Sequence, residues 1–122
     1  MKDRALNNYK NGCNCAQAIL KTFSQQLEID DETAMKLASG LGVGMYSGET
    51  CGAVSAAFIA LGLKYGGSDK GKAKEVFKRV KEYENLFKEK NISMNCKELK
   101  SVHKRDCREL VQDSAGILEE LL

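Results

Sequence analysis

Apolar residues recur at helical spacing along almost the whole chain. Residues 3 to 10 put Leu6 and Tyr9 on one side of a short helix, which Asn11-Gly12 interrupts. Ala16, Ile19, Leu20, Phe23 and Leu27 predict a second helix. Asp30 and Asp31 are N-cap candidates for a third, whose stripe is Ala34, Leu37, Ala38 and Leu41. A glycine-rich connection, Gly40 to Gly48, leads into the run from Thr50 to Gly62. That run is apolar for about a dozen residues, short of the roughly 20 that a membrane span needs. It predicts a helix buried on nearly all sides, with Gly52, Ala56 and Ala60 forming a face of small residues. Gly62 and Gly66-Gly67 are read as its end. Ser68-Asp69 start a long amphipathic helix with Ala73, Val76, Phe77, Val80, Tyr83 and Phe87 toward the core. After a loop at 91–95 come a short helix from Cys96 to about Ser101 and a last one from Cys107 to Leu122. The last buries Leu110, Val111, Ala115, Leu118 and Leu121. Nothing alternates with period two for long enough to be a strand. The expected fold is all-α, a compact single-domain helical bundle over residues 1–122. About five or six helices surround a central helix at about 51–65.

Composition agrees with this class. The chain has 122 residues, 43% hydrophobic and 30% charged, with no proline and no tryptophan. That is enough chain for one core, and strand-rich domains usually carry some proline in their turns. The net charge of +2 is too small to suggest a nucleic-acid partner. Lysines and arginines crowd between Lys64 and Arg108, but acids are interleaved with them, so a solvated helix face is expected. The first residues have no apolar segment of the secretory kind, which predicts a cytoplasmic protein without membrane insertion.

The five cysteines change the picture most. Cys15 follows Asn14, Cys51 follows Thr50, Cys96 follows Asn95 and Cys107 follows Asp106. Asn, Thr and Asp are preferred N-cap residues, and helical sequence follows each cysteine. Each thiol is therefore expected at the first turn of a different helix. Unpaired N–H groups and the helix dipole favour a thiolate there, the species that attacks disulfides and ligates metals. The four are separated by 35, 44 and 10 residues, with no CxxC pair, so a shared site has to be assembled by the fold. Cys13 forms a C-x-C with Cys15 and is read as a passenger, a spare ligand or a resolving thiol being the alternatives. His103, the only histidine, is read as a surface residue, with a ligand or general-base role as the sharper alternative. The Gly40-x-Gly42-x-Gly44 run lacks a preceding strand and a following Gly-Lys-Ser/Thr, so no nucleotide site is expected. It is read instead as a flexible connection shaping access to Cys51, which Tyr46 and Glu49 flank.

These residues together resemble the C_GCAxxG_C_C family of redox-active proteins. The resemblance is carried by Gly12-Cys13-Asn14-Cys15-Ala16, by Ala38-Ser39-Gly40 and by Gly48-Glu49-Thr50-Cys51-Gly52-Ala53. Cys96-Lys97-Glu98-Leu99 and Cys107-Arg108-Glu109-Leu110-Val111 extend it over nearly the whole chain. Two departures stand out. Ala56 occupies the place of the last glycine of CGAxxG, a small-for-small change, and Cys13 is extra to the four-cysteine pattern. The resemblance implies that Cys15, Cys51, Cys96 and Cys107 are the functional set. The domain is also similar to part of split-Soret cytochromes, which are multi-centre electron carriers. Haem attachment is not carried over, because there is no C-x-x-C-H.

The expected function is that of a redox-active protein with one four-cysteine site, acting as a thiol or iron–sulfur oxidoreductase or as an electron carrier. In one version Cys15, Cys51, Cys96 and Cys107 bind an iron–sulfur cluster or zinc. In the other the same four cycle between dithiol and disulfide, with Cys51 the best nucleophile. A redox partner protein suits either version, and a homodimer is compatible with the small-residue face and the Lys-rich helix. The competing reading is a small helical interaction or sensor module whose cysteines are structural or zinc-binding.

Overall fold

The computed structural model describes residues 1–122, and every regular element in it is helical. Seven α-helices follow one another: α1 (Lys2–Lys10), α2 (Cys15–Phe23), α3 (Asp31–Ala38), α4 (Gly52–Tyr65), α5 (Lys70–Asn91), α6 (Cys96–Ser101) and α7 (Cys107–Leu121). This is an all-α bundle with α4 at its centre, as expected. It has seven α-helices where about five or six were expected. None is long and apolar enough to cross a membrane.

Side-chain caps define most helix starts. Asn14 accepts the Gln17 N–H at 2.8 Å while Gln17 Oε1 accepts the Asn14 N–H at 3.0 Å, a complete capping box. Asp30, Asp69, Asn95 and Asp106 each accept a first-turn amide of α3, α5, α6 and α7. Thr50 does not cap α4. It pairs across an isolated antiparallel bridge with Asn95, and Cys51 is itself the N-cap.

The small-residue face of α4 does what its spacing implies. Ala53, Ala56, Ala57 and Ala60 are fully buried, and α2 packs tightly along this helix. At Gly52 a Cβ would lie 2.5 Å from Cys15 Sγ and 2.8 Å from the Leu41 carbonyl oxygen. Tyr83 of α5 seals the other side, edge-on to Phe58 at 5.7 Å and stacked on Phe87 at 5.8 Å. Its hydroxyl donates to Ser114 Oγ at 2.7 Å, which donates to the Ala53 carbonyl at 2.8 Å. This buried relay ties α5 and α7 to the first turn of α4, two residues from Cys51. A polar group so deeply placed is stable only when partnered, and each hydroxyl here has a partner.

Four sequence expectations fail in detail. Leu27 is buried, but from the turn after α2, which ends at Phe23. Leu37 is exposed and Leu41 lies beyond α3, in a tight turn at Ser39–Leu41. In α5 only Tyr83, Phe87 and Asn91 are buried, while Ala73 and Phe77 are exposed and Val76 and Val80 half-buried. Val80 still packs against the edge of the core, whereas Ala73 and Phe77 face solvent. Gly62 does not stop α4, which runs on to Tyr65.

Candidate thiol site

Cys15, Cys51, Cys96 and Cys107 begin or cap α2, α4, α6 and α7, and all four line one cleft of about 560 Å³. Backbone pairing brings two of these starts together. The Cys51 N–H donates to the Met94 carbonyl at 2.7 Å and the Cys96 N–H to the Glu49 carbonyl at 2.6 Å. Helices α4 and α6 therefore leave the same two-stranded contact side by side.

Glycines let the other segments close in. A Cβ on Gly42 would meet the Asn14 side chain at 2.8 Å, and one on Gly44 the Cys96 Cβ at 2.8 Å and the Glu49 nitrogen at 2.6 Å. Together with Gly52 against Cys15, three glycines mark close approaches of backbone to the cysteine-bearing helix starts. The connection itself is not slack. Val43, Gly44, Met45 and Tyr46 all have positive φ, at 53°, 61°, 59° and 53°, making a left-handed turn. For non-glycine residues that conformation costs roughly 1–2 kcal/mol each. Val43 and Tyr46 of this turn form part of the cleft wall.

Burial is graded within the cleft. Cys51 is 3% exposed and lies deepest, Cys96 and Cys15 are buried at 6% and 8%, and Cys107 is half-exposed. Burial pushes the Cys51 thiol from the ordinary 9.0 up to about 12, with the Cys15 charge adding to the effect. The amides of Ala53 and Val54 pull the other way and Cys96 adds a further rise. Burial likewise raises Cys96, against the attraction of Lys100, and ionised Cys107 and Cys15 raise it further. The helix-start effect anticipated from sequence is thus outweighed at these two positions by desolvation. Cys51 thus feels Cys15 and Cys96, and Cys96 feels Cys107 and Cys15, across the one cleft. Tyr9 belongs to it as well: its phenol is pushed up to about 12 by burial and by contact with Cys107, and more weakly by Cys15. Sequence reading placed Tyr9 only on the packed side of α1, and no local motif marks it.

The remaining candidates divide clearly. Cys13 also borders the cleft, but its thiol donates to Met35 Sδ at 3.6 Å, and burial raises its pKa. Tyr46 lines the cleft, with its hydroxyl on the Ser39 carbonyl, while Glu49 contributes its backbone and belongs to a separate depression. His103 lines that second depression and not the thiol cleft.

Four thiols are the right donor type for a soft metal or an iron–sulfur cluster. Their arrangement is less suited, because no three Cys, His, Asp or Glu side chains are gathered closely enough to hold a metal ion.

The family model described as "Putative redox-active protein (C_GCAxxG_C_C)" matches residues 13–121. The chain belongs to that family. No curated protein and no solved structure matches it. The family's description is one of redox activity, and the matched span takes in all five cysteines.

Because burial holds Cys51, Cys96, Cys13, Tyr9 and Tyr83 in their neutral forms, folding should weaken in alkali. In the unfolded chain Cys51 ionises near 9.0, while in the folded protein it resists until about 12. Its contribution is complete below pH 9 and is lost as pH rises toward 12. Under reducing conditions the urea midpoint is expected to be level from neutrality to about pH 8.5 and to fall steadily above pH 9. A midpoint that stayed level to pH 11 would contradict the assigned burial.

Proposed function

We propose that the protein is a thiol–disulfide redox protein in which Cys107 makes the first attack and Cys96 resolves it, with Cys51 and Cys15 completing the site. The observation that carries this reading is the gradient of exposure across a single thiol-lined cleft. Of the cysteines lining the cleft only Cys107 is not buried, so an incoming disulfide meets its sulfur first. Cys96 is buried in the same cleft, and its ionisation responds to Cys107. The family's description as redox-active supports the same class of chemistry.

The steps balance with a disulfide RS–SR as oxidant. The Cys107 thiolate attacks one sulfur, the S–S bond breaks, and RS⁻ leaves and takes a proton. The Cys96 thiol, losing its proton, then attacks the Cys107 sulfur of the mixed disulfide and expels the second RS⁻. The sum is RS–SR plus two cysteine thiols giving two RSH and one protein disulfide. Two electrons pass from the protein to the substrate, and the reverse sequence oxidises a dithiol.

The test is to treat the reduced protein with neutral hydroxyethyl disulfide and count free thiols by alkylation and mass spectrometry. The reading expects thiols to disappear in pairs within one chain, at the same rate in Cys13→Ser. Loss of a single thiol, accumulation of stable mixed disulfides, or linkage between chains would overturn it.

A further inference from the structure

The cleft holds one charged side chain that the thiol chemistry leaves unused. Lys100 of α6 lies one turn beyond Cys96 and lines the same cleft. It is exposed, and none of the eight ion-pair contacts in the molecule includes it. No Asp, Glu or Arg lines the cleft beside it. Asp106 adjoins Cys107 in sequence, but its carboxylate is committed to Arg108 at 3.0 Å. The polar side chains of the wall are also occupied: Asn14 Nδ2 and the Tyr46 hydroxyl donate to the Ser39 carbonyl, and Gln17 Nε2 to the Met35 carbonyl. An uncommitted cation therefore faces a thiol site in which the Asn14 and Gln17 amides and the Tyr46 hydroxyl have partners. Around it Tyr9, Val43, Tyr46 and Leu110 supply apolar surface. The starts of α2, α4 and α7 border the same cleft and add partial positive charge there.

We infer that the substrate of the thiol site is a small organic disulfide or thiol bearing a carboxylate, with Lys100 binding the carboxylate while the carbon chain lies on the apolar wall. A cleft of about 560 Å³ accommodates such a molecule. Lys100 has a second effect that must be separated from binding, since it also favours ionisation of Cys96. That effect is felt equally by every substrate, whereas ion pairing is felt only by an anionic one.

This inference rests on the thiol–disulfide reading, and the experiment keeps the two apart. Second-order rates of thiol oxidation are measured with dithiodipropionate, which is anionic, with neutral hydroxyethyl disulfide and with cationic cystamine. Lys100→Gln, a change at an exposed and unpaired side chain, is compared with wild type and with Lys74→Gln on the distant first half of α5. The ratio of the dithiodipropionate rate to the hydroxyethyl disulfide rate is expected to fall about threefold to tenfold in Lys100→Gln. It should be unchanged in Lys74→Gln, and added salt should lower it in wild type only toward the Lys100→Gln value. An unchanged ratio in Lys100→Gln, or oxidation by a protein disulfide but by no carboxylate-bearing small one, would overturn the inference and leave the reading standing. Failure of every disulfide to oxidise the thiols would overturn the reading itself.

Discussion

Gly52→Val is expected to destabilise the protein by about 3 kcal/mol, more than any other single change at a glycine of α4. A Cβ there would lie 2.5 Å from Cys15 Sγ and 2.8 Å from the Leu41 carbonyl oxygen, and the latter is backbone that cannot rotate aside. The valine methyls would push the starts of α2 and α4 apart, so the damage reaches the thiol cleft as well as the core. Gly62 supplies the internal comparison, because no atom lies within 4 Å of a Cβ built there. Gly62→Ala should raise stability by about 0.5–1 kcal/mol, the ordinary gain of replacing a mid-helix glycine. Urea unfolding of both variants checks the pair. Equal losses at the two positions would mean that α2 and α4 do not cross at Gly52.

The largest functional effect is expected at Cys107. Cys107→Ser should slow reduction of small disulfides by at least about 100-fold, because the hydroxyl cannot replace a thiolate as attacking group. Its stability should change by less than about 0.5 kcal/mol, as for other partly exposed substitutions. Cys51→Ala should do the reverse. It opens a small cavity at a position only 3% exposed, costing about 1–2 kcal/mol, while the first attack survives. Initial rates of thiolate release, measured beside urea midpoints, separate the two classes. A Cys51 variant that lost the initial attack while Cys107→Ser kept it would reverse the assigned roles.

Much of the fold was legible because it obeys local rules. The apolar run of α4, the caps at Asn14, Asn95 and Asp106, and the stripe of α7 are written in short stretches of sequence. What escaped depends on where the bundle ends. Phe77 occupies a core-like position on α5 yet is 64% exposed, since periodicity records which face of a helix is apolar and not whether a neighbour reaches it. Thr50 reads as a cap but takes part in a bridge to Asn95, a partner 45 positions away that no local pattern reveals. The left-handed turn at Val43–Tyr46 was equally hidden, because two of its residues, Val43 and Tyr46, are types that avoid positive φ.

For the site, the recurrence of candidate cap, cysteine and helix singled out four thiols, and the fold lines all four, together with Cys13, along one cleft. The order of burial was not legible. Helix starts alone favour ionisation at all four, and Cys51 stood out for the glycines around it. Burial is a property of the assembled bundle, and at Cys51 desolvation exceeds the pull of the helix amides. Lys100 and Tyr9 were missed for a related reason. Both lie on ordinary helix faces and acquire chemical meaning only from what the fold sets opposite them.

The central claim is that thiols from separate helix starts act as one redox site. Disulfide mapping of the monomer after mild oxidation tests it most directly, using non-reducing proteolysis and mass spectrometry. The account predicts one internal bond first, joining Cys96 to Cys107, with Cys13 remaining free. A first bond that includes Cys13, or an oxidised protein in which no two of Cys15, Cys51, Cys96 and Cys107 are joined, would contradict it.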